Sequence, residues 1–137
     1  EIMTANMRSV MLVTKAVLPH MVARAQGNII NIGSGAALRG LPGSVAYSAS
    51  KAAVVCFSQA LGDELRRTTP QIRVNVICPG PVDTELFQQS ERREFLLQAG
   101  GDIFSPETVA DGALFLASEL SKGVNSQVLV LRGFNRW

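Results

Sequence analysis

Residues 28–34, N-I-I-N-I-G-S, decide the fold of this chain. Three isoleucines place apolar β-branched side chains on both faces of an extended segment, which is typical of a strand buried inside a parallel sheet. Gly33 ends this segment and Ser34 follows it. Open α/β sheets present their site residues at the carboxyl ends of the strands. The pattern therefore predicts a strand over 28–33 and a site at Ser34, whose hydroxyl can hold a substrate oxygen.

Two further strands and two long helices complete the predicted α/β pattern. Apolar segments over 72–78 and 127–131 predict strands. Segments over 1–25 and 46–67 predict helices, and Gly27 is expected to end the first of them. The many small residues of the second helix predict that it packs closely and is largely buried.

Tyr47 and Lys51 are four residues apart, so on a helix their side chains share one face. A nearby ammonium favours the phenolate and lowers the pKa of a tyrosine from about 10 toward the range of a general acid or base. The spacing alone is a weak signal, because any exposed helix can carry it. Tyr47 is, however, the only tyrosine, and it follows a Gly- and Pro-rich loop and the strand that ends at Ser34. This context favours a catalytic pair.

Four segments in succession resemble the short-chain dehydrogenase/reductase family across nearly the whole chain. They are N-I-I-N-I-G-S at 28–34, Y-S-A-S-K-A-A-V at 47–54, R-V-N-V-I-C-P-G-P-V-D-T at 73–84 and S-P-E-T-V-A-D-G-A-L-F-L-A-S at 105–118. The resemblance implies a Rossmann-like, doubly wound parallel sheet. It also implies NAD or NADP as cofactor and a small-molecule alcohol or carbonyl compound as substrate.

The same resemblance assigns roles to individual residues. In the family, a serine, a tyrosine and a lysine in this order form the catalytic set, and an asparagine supports a proton-relay water. The catalytic residues implied here are Asn6, Ser34, Tyr47 and Lys51. The cofactor-binding residues implied are Tyr47, Lys51, Pro79, Gly80, Val82 and Thr84. In this assignment Lys51 also binds the ribose, the backbone at Val82 meets the carboxamide and the Thr84 hydroxyl meets a phosphate.

The chain departs from the family pattern in two regions. The Gly-rich turn that sets the cofactor pyrophosphate on a helix N-terminus is absent, as are the strands around it. The sequence therefore predicts that residues 1–137 are the C-terminal portion of a single NAD(P)-binding Rossmann-fold domain. Near the other end, Ser126 stands where the family usually has glycine. Arg132-Gly133-Phe134 replace an acidic or amide residue and two glycines.

Several segments around the predicted site have expected structural roles. The polar, amphipathic residues 85–98, followed by Ala99-Gly100-Gly101, predict a mobile substrate lid with a hinge. Ser105 is expected to cap the next helix, which has a proline at its first position. Leu38 and Leu41 either line the substrate pocket or pad their loop against the core.

Composition excludes several classes of protein. With 47% hydrophobic and 18% charged residues and a net charge of +2, the 137 residues fit one globular domain, with no nucleic acid or anionic membrane as partner. No apolar run approaches the roughly 18 residues of a membrane helix, which predicts a soluble, cytoplasmic protein. Cys56 and Cys78 are expected to be reduced core cysteines, His20 is expected to face solvent, and no metal site is predicted.

The leading hypothesis is an NAD(P)-dependent oxidoreductase that interconverts an alcohol and a carbonyl, with Tyr47 as acid/base. In the family, the two long helices pair with those of another subunit, which implies a homodimer or homotetramer. A second hypothesis is a truncated, non-catalytic segment that serves as an interaction module. A third is a lyase or epimerase that uses bound nicotinamide with the same Tyr47 and Lys51.

Overall fold

The computed structural model describes residues 1–98 and 101–132. Its helices are a π-helical turn (Thr4–Arg8) that continues into α1 (Ser9–Ala23), then α2 (Gly35–Leu38), α3 (Val45–Thr68), α4 (Glu85–Gln88), α5 (Glu91–Gln98), α6 (Pro106–Ala117) and a 3-10 turn (Glu119–Ser121). Its strands are β1 (Gly27–Ile32), β2 (Ile72–Pro79) and β3 (Val128–Leu131). The predicted hinge residues Ala99 and Gly100, and Gly133 and Phe134 near the C-terminus, lie outside the described residues.

The three strands form one parallel sheet in the order β1-β2-β3, which confirms the predicted α/β class. Ile29 is the register partner of Val74, and Ile77 is the partner of Leu129. The central strand β2 is the most buried, with Ile72, Val74, Val76, Ile77 and Cys78 all at 0% exposure. In β1 only Ile29 is buried, because among the described residues this strand has a strand neighbour on one side only.

Helices cover both faces of the sheet. On one face α3 packs Val54 and Val55 against Val76 and Cys78, and Leu65 joins a second cluster with Ile29 and Val74, against which Leu18 and Met21 of α1 pack. On the other face Gly112 of α6 lies against the side chains of Ile77, Leu129 and Leu131, where an added Cβ would be 3.3 Å from both leucines. This arrangement leaves the ends of the strands free to carry a site.

The first long helix ends differently from the prediction. The residue with a left-handed backbone is Ala25, at φ +49°, and not Gly27, which already belongs to β1. The Ala25 N–H donates to the Val22 carbonyl and the Gln26 N–H to the Met21 carbonyl, the two hydrogen bonds of a Schellman motif. Gly27 is required instead for close packing, since an added Cβ would lie 2.6 Å from Met21 Sδ.

Ser105 is the N-cap residue of α6 and Pro106 its first residue, as predicted, although the Ser105 side chain makes no capping hydrogen bond and its hydroxyl lies 3.5 Å from Thr108 Oγ1. Two smaller expectations about helices were wrong. Cys56 is exposed on the outer face of α3, whereas Cys78 is buried as predicted. The helix α3 itself buries one face, including Ser50, Val54 and Ser58, and leaves the opposite face exposed because no described element packs there.

Ser126, where the sequence departs from the family pattern, has a strained position before β3. Its φ is +59°, a left-handed conformation that glycine adopts at little cost. Its hydroxyl is buried without a hydrogen-bond partner in the described part of the chain. The hydroxyl lies against α3, where a Cβ added to Gly62 would be 2.5 Å from Ser126 Oγ. The backbone and the hydroxyl both cost stability here.

Ser126→Gly is therefore expected to raise the free energy of unfolding by about 1 to 2 kcal/mol, since it removes the strain and the unpaired hydroxyl at the cost of some unfolded-state entropy. Ser126→Ala is the matched control, because it removes the hydroxyl but keeps the strained Cβ, and it should gain less. Urea denaturation of the complete protein measures both. A Ser126→Gly variant no more stable than Ser126→Ala would show that relief of the left-handed backbone gains no more than the unfolded-state entropy of glycine costs.

Candidate active site

A cavity of about 790 Å³ opens at the carboxyl ends of β1 and β2. Parallel strands bring their carboxyl ends to the same edge of a sheet, so the residues that follow β1 and β2 meet there. Predicted site residues that line the cavity are Ser34, Tyr47, Lys51, Pro79, Gly80, Val82 and Thr84. Leu38 and Leu41 also line the cavity, so the structure supports the first of their two predicted roles, lining a pocket, over padding their loop against the core. Asn6 is not among the lining residues.

Ser34 is separated from β1 by Gly33 alone and is the N-cap residue of α2. Its Oγ accepts a hydrogen bond from the Ala36 N–H at 3.2 Å, so the side chain caps this short helix. The hydroxyl hydrogen is not used in that bond and can be donated to an oxygen in the cavity. The cap therefore holds the serine in place without consuming its donor.

Lys51 is fixed at the strand end by a hydrogen bond from its Nζ to the Ile32 carbonyl at 3.0 Å. The same Nζ lies 6.0 Å from the centroid of the Tyr47 ring, which confirms that the two side chains share one face of α3. Half-burial lowers the pKa of the Lys51 ammonium from its usual value. Among the described residues the Tyr47 hydroxyl has no hydrogen-bond partner, so it is available to a ligand.

Asn6 lies in the π-helical turn and reaches the site indirectly. Its Nδ2 donates to Ser50 Oγ at 3.0 Å, and Ser50 Oγ donates to the Tyr47 carbonyl at 2.7 Å. Ser50 is fully buried. The structure thus links Asn6 to the backbone of the helical turn that carries Tyr47 and Lys51. Sequence reasoning missed Ser50, although the Y-S-A-S-K segment places it one residue before the lysine.

The loop after β2 is held at two points. The Gly80 N–H donates to the Leu131 carbonyl at 2.7 Å. Val82 and Phe104 form a parallel bridge, in which the Asp83 N–H donates to the Phe104 carbonyl at 2.8 Å and the Phe104 N–H to the Pro81 carbonyl at 2.9 Å. The bridge leaves the Val82 N–H without a partner in the described part of the chain.

Thr84 caps α4, since its Oγ1 accepts from the Phe87 N–H at 3.3 Å. Its hydroxyl hydrogen, like that of Ser34, is not used in the cap. The short helices α4 and α5 lie in the segment predicted as a lid, and Leu86, Phe87 and Leu96 from this segment line the cavity. Leu86 is 84% exposed, so this wall of the cavity is loosely packed. Mobility of the lid stays a prediction.

Cys78 also lines the cavity but differs sharply from Cys56. Its side chain is inaccessible, and its Sγ would be only 2.6 Å from a Cβ added to Gly33. Burial raises the pKa of the Cys78 thiol above its ordinary value, and the Ser34 backbone N–H and the Lys51 ammonium only partly oppose this. The folded protein keeps this proton at a pH where the unfolded chain has lost it. Cys78 therefore makes its full contribution to the stability of the folded state below the ordinary thiol pKa. This contribution declines as the pH rises through the raised pKa of Cys78.

In the complete protein at pH 8, iodoacetamide is expected to alkylate Cys78 at least tenfold more slowly than in the same protein unfolded in urea, because the thiolate is the nucleophile and burial both shields Cys78 and raises its pKa. Peptide mapping by mass spectrometry gives the rate at Cys78 separately from the rate at Cys56. Cys56→Ser and Cys78→Ser serve as matched controls for peak assignment. Equal rates at Cys78 in the folded and the unfolded protein would contradict its burial and its raised pKa.

Other classes of site receive no support within the described residues. Residues 1–98 and 101–132 contain no group of three or more histidine, cysteine, aspartate or glutamate side chains able to hold a metal ion. None of the helices found in these two ranges has the length and apolar character needed to span a membrane. His20 is exposed, as predicted.

Comparison with known proteins identifies the family. Residues 1–94 match the family model of the short chain dehydrogenases. The chain belongs to this family. Its relatives include the 3-oxoacyl-acyl-carrier-protein reductase FabG of Chlamydia trachomatis, 38% identical over 97% of this chain and 54% of the relative. The 2-(R)-hydroxypropyl-CoM dehydrogenase of Xanthobacter autotrophicus is 36% identical over 97% of this chain and 55% of the relative.

A solved structure supports the same assignment. An oxidoreductase of the short chain dehydrogenase/reductase family from Burkholderia thailandensis matches with a TM-score of 0.83 and 32% identity, covering 94% of this chain and 52% of that structure. The fold is therefore the Rossmann-like parallel sheet of the short chain dehydrogenases, as the sequence predicted. The chain spans about half the length of the relatives it matches.

Proposed function

We propose that this short chain dehydrogenase interconverts an alcohol and a carbonyl on a small molecule with NAD or NADP as cofactor. The observation that carries the proposal is that Ser34, Tyr47 and Lys51 line one cavity. The Tyr47 hydroxyl has no hydrogen-bond partner among the described residues. Ser34 and Lys51 are each held by one hydrogen bond that leaves a hydrogen free to be donated to a ligand. Their chemistry matches a reaction in which one proton moves to or from an oxygen.

The residues present fit the nicotinamide half of a dinucleotide. The unpartnered Val82 N–H would donate to the carboxamide, and the free hydrogen of the Thr84 hydroxyl would donate to a phosphate. The Lys51 ammonium would bind the ribose. Pro79 and Gly80 would form the wall beside the cofactor. When bound, the nicotinamide supplies or accepts the hydride. Residues 1–137 contain no Gly-rich turn for the pyrophosphate, so Thr84 is the one phosphate contact that we assign.

Each remaining step belongs to a side chain of this chain. Ser34 donates its hydroxyl hydrogen to the substrate oxygen and orients it. Tyr47 gives its proton to that oxygen in reduction and removes it in oxidation. Lys51 holds positive charge beside the phenol, and Asn6, through Ser50, fixes the turn that positions both residues. The proton-relay role of Asn6 is part of the proposal.

We further propose that residues 1–137 are part of a single dinucleotide-binding domain that assembles as a homodimer or homotetramer through α1 and α3. Exposed apolar residues on α1, among them Leu12 at 51% and Val13 at 64%, support this assembly, as does the exposed small Ala49 of α3. The proposed location is the cytoplasm, whose reducing conditions suit the free Cys56 and Cys78.

The test is turnover by the complete protein. It is incubated with NADH or NADPH and a panel of small ketones and aldehydes, and the loss of nicotinamide absorbance is followed together with chromatography of the alcohol product. The proposal expects one alcohol formed for each nicotinamide oxidised. A product formed with no net change in nicotinamide would instead indicate the lyase or epimerase alternative. No reaction with any of these compounds would favour a non-catalytic segment.

A further inference from the structure

The charged side chains that line the cavity in the described part of the chain are all basic. Its lining includes three basic residues, Arg39, Lys51 and Arg132, and no aspartate or glutamate among the described residues. Its apolar wall is formed by Leu38, Leu41, Pro42, Leu86, Phe87 and Leu96. A pocket with apolar walls and uncompensated positive charge favours a ligand that has an apolar body and an anionic group.

Lys51 and Arg132 have positions that connect them with the cofactor. Lys51 donates to the Ile32 carbonyl and lies beside Tyr47. Arg132 directly follows Leu131, whose carbonyl accepts from Gly80 of the loop proposed to meet the nicotinamide. Arg39 instead follows α2, next to Leu38 and Leu41 on the loop between Ser34 and Tyr47. Of the three basic residues, it is the one left for the substrate.

The backbone around Arg39 is fixed on both sides. The Arg39 N–H donates to the Gly35 carbonyl at 3.2 Å, which ties it to α2. Two residues later, the Leu41 N–H donates to the buried Ser48 Oγ at 3.1 Å, which ties the loop to the first turn of α3. Arg39 is thus carried by a short, doubly anchored segment that connects the elements of two catalytic residues, Ser34 and Tyr47.

The side chain of Arg39, in contrast, is uncommitted. It is exposed and forms no ion pair or hydrogen bond in the described part of the chain, whereas Arg66 pairs with Asp63 and Arg93 with Asp83. A guanidinium offers a planar pair of donors that matches a carboxylate. The positioned backbone and the free head group suit a residue that binds an anion when a ligand enters.

We propose that Arg39 binds a carboxylate of the substrate and so makes the enzyme selective for oxo acids or hydroxy acids over neutral ketones or alcohols. The inference rests on the proposed function, since it names the substrate class of the same site. The substrate places its carbonyl or hydroxyl carbon at Ser34 and Tyr47, its short apolar chain along Leu38 and Leu41, and its carboxylate at Arg39.

The first experiment compares 4-oxopentanoate with its methyl ester, which keeps the ketone and removes the charge. In the complete protein, kcat/KM is expected to be at least tenfold higher for the acid. Arg39→Met should lower kcat/KM for the acid about tenfold or more and leave the ester within about twofold, because it keeps the chain and removes the donors. Arg66→Met is the matched control and should change neither. Equal losses for acid and ester, or no preference in the wild type, would overturn the proposal.

The second experiment does not depend on turnover. Hexanoate, which has no carbonyl to reduce, is titrated into the complete protein by calorimetry, with hexan-1-ol as the neutral control. Hexanoate should bind, and Arg39→Met should weaken that binding about tenfold while Arg66→Met does not. If hexanoate binding depends on Arg39 but no oxo compound is reduced, the substrate class stands and the proposed reaction fails. Hexanoate binding that is unchanged in Arg39→Met would overturn the carboxylate site.

Discussion

Tyr47→Phe in the complete protein is expected to lower kcat by about 10³-fold or more, while the Kd of NADH or NADPH changes less than about threefold. The substitution removes the proton that general acid or base catalysis transfers, which contributes roughly 10² to 10⁴ in rate. It keeps the ring and therefore nearly all of the contact area in the cavity. The hydroxyl forms no hydrogen bond within the described residues, so the fold should lose almost nothing.

Steady-state kinetics gives kcat, and fluorescence titration gives the cofactor Kd. Phe57→Leu is a useful comparison, since Phe57 is a half-buried aromatic residue of the same helix that does not line the cavity. It should affect stability more than chemistry. Turnover by Tyr47→Phe within a few-fold of the wild type would remove Tyr47 from the mechanism, whatever the behaviour of the other residues.

Lys51→Met should cause the second-largest effect, with kcat/KM lower by about 10²-fold or more and a weaker affinity for the dinucleotide. The substitution keeps the length of the side chain and removes the ammonium that lies beside Tyr47 and donates to the Ile32 carbonyl. Without this positive charge the negative charge that Tyr47 carries in the oxidative direction loses its stabilisation, so kcat should fall together with the affinity for the cofactor.

Lys122→Met provides the control for loss of one positive charge, because Lys122 is exposed and is absent from the cavity lining. Separate measurements of kcat and of the cofactor Kd for each variant distinguish the two roles of Lys51. Weaker cofactor binding with an unchanged kcat would leave Lys51 as a binding residue only and contradict its influence on Tyr47.

The strands could be predicted from the sequence because each is specified locally. The isoleucines of β1 and the valines of β2 favour extended backbone wherever they lie in the chain, and the predicted limits differ from the observed ones by one residue. The burial of β1 was overestimated, since burial depends on what lies beside a strand. The exposure of Cys56 was missed for the same reason, because the helical pattern does not say which face meets the sheet.

The residues of the candidate site could be predicted where their spacing or order is distinctive. Tyr47 and Lys51 are one helical turn apart, and Ser34 follows a strand end, so both local geometry and the family resemblance led to them. The link between Asn6 and Ser50 joins residues 44 positions apart and depends on how the π-helical turn packs against α3, which no local pattern encodes. Ala25 was overlooked because an alanine in left-handed backbone goes against the preference for glycine there.

The bridge between Val82 and Phe104 has a consequence for how the enzyme family can diversify. It closes the two ends of residues 83–103 against each other, so this segment is an insertion whose ends stay together whatever lies between them. Lengthening such a closed loop adds little entropic cost, since the cost grows only with the logarithm of its length. Evolution can therefore exchange, shorten or extend this wall of the cavity while the preceding loop at Gly80 and Val82, which we propose binds the coenzyme, keeps its position.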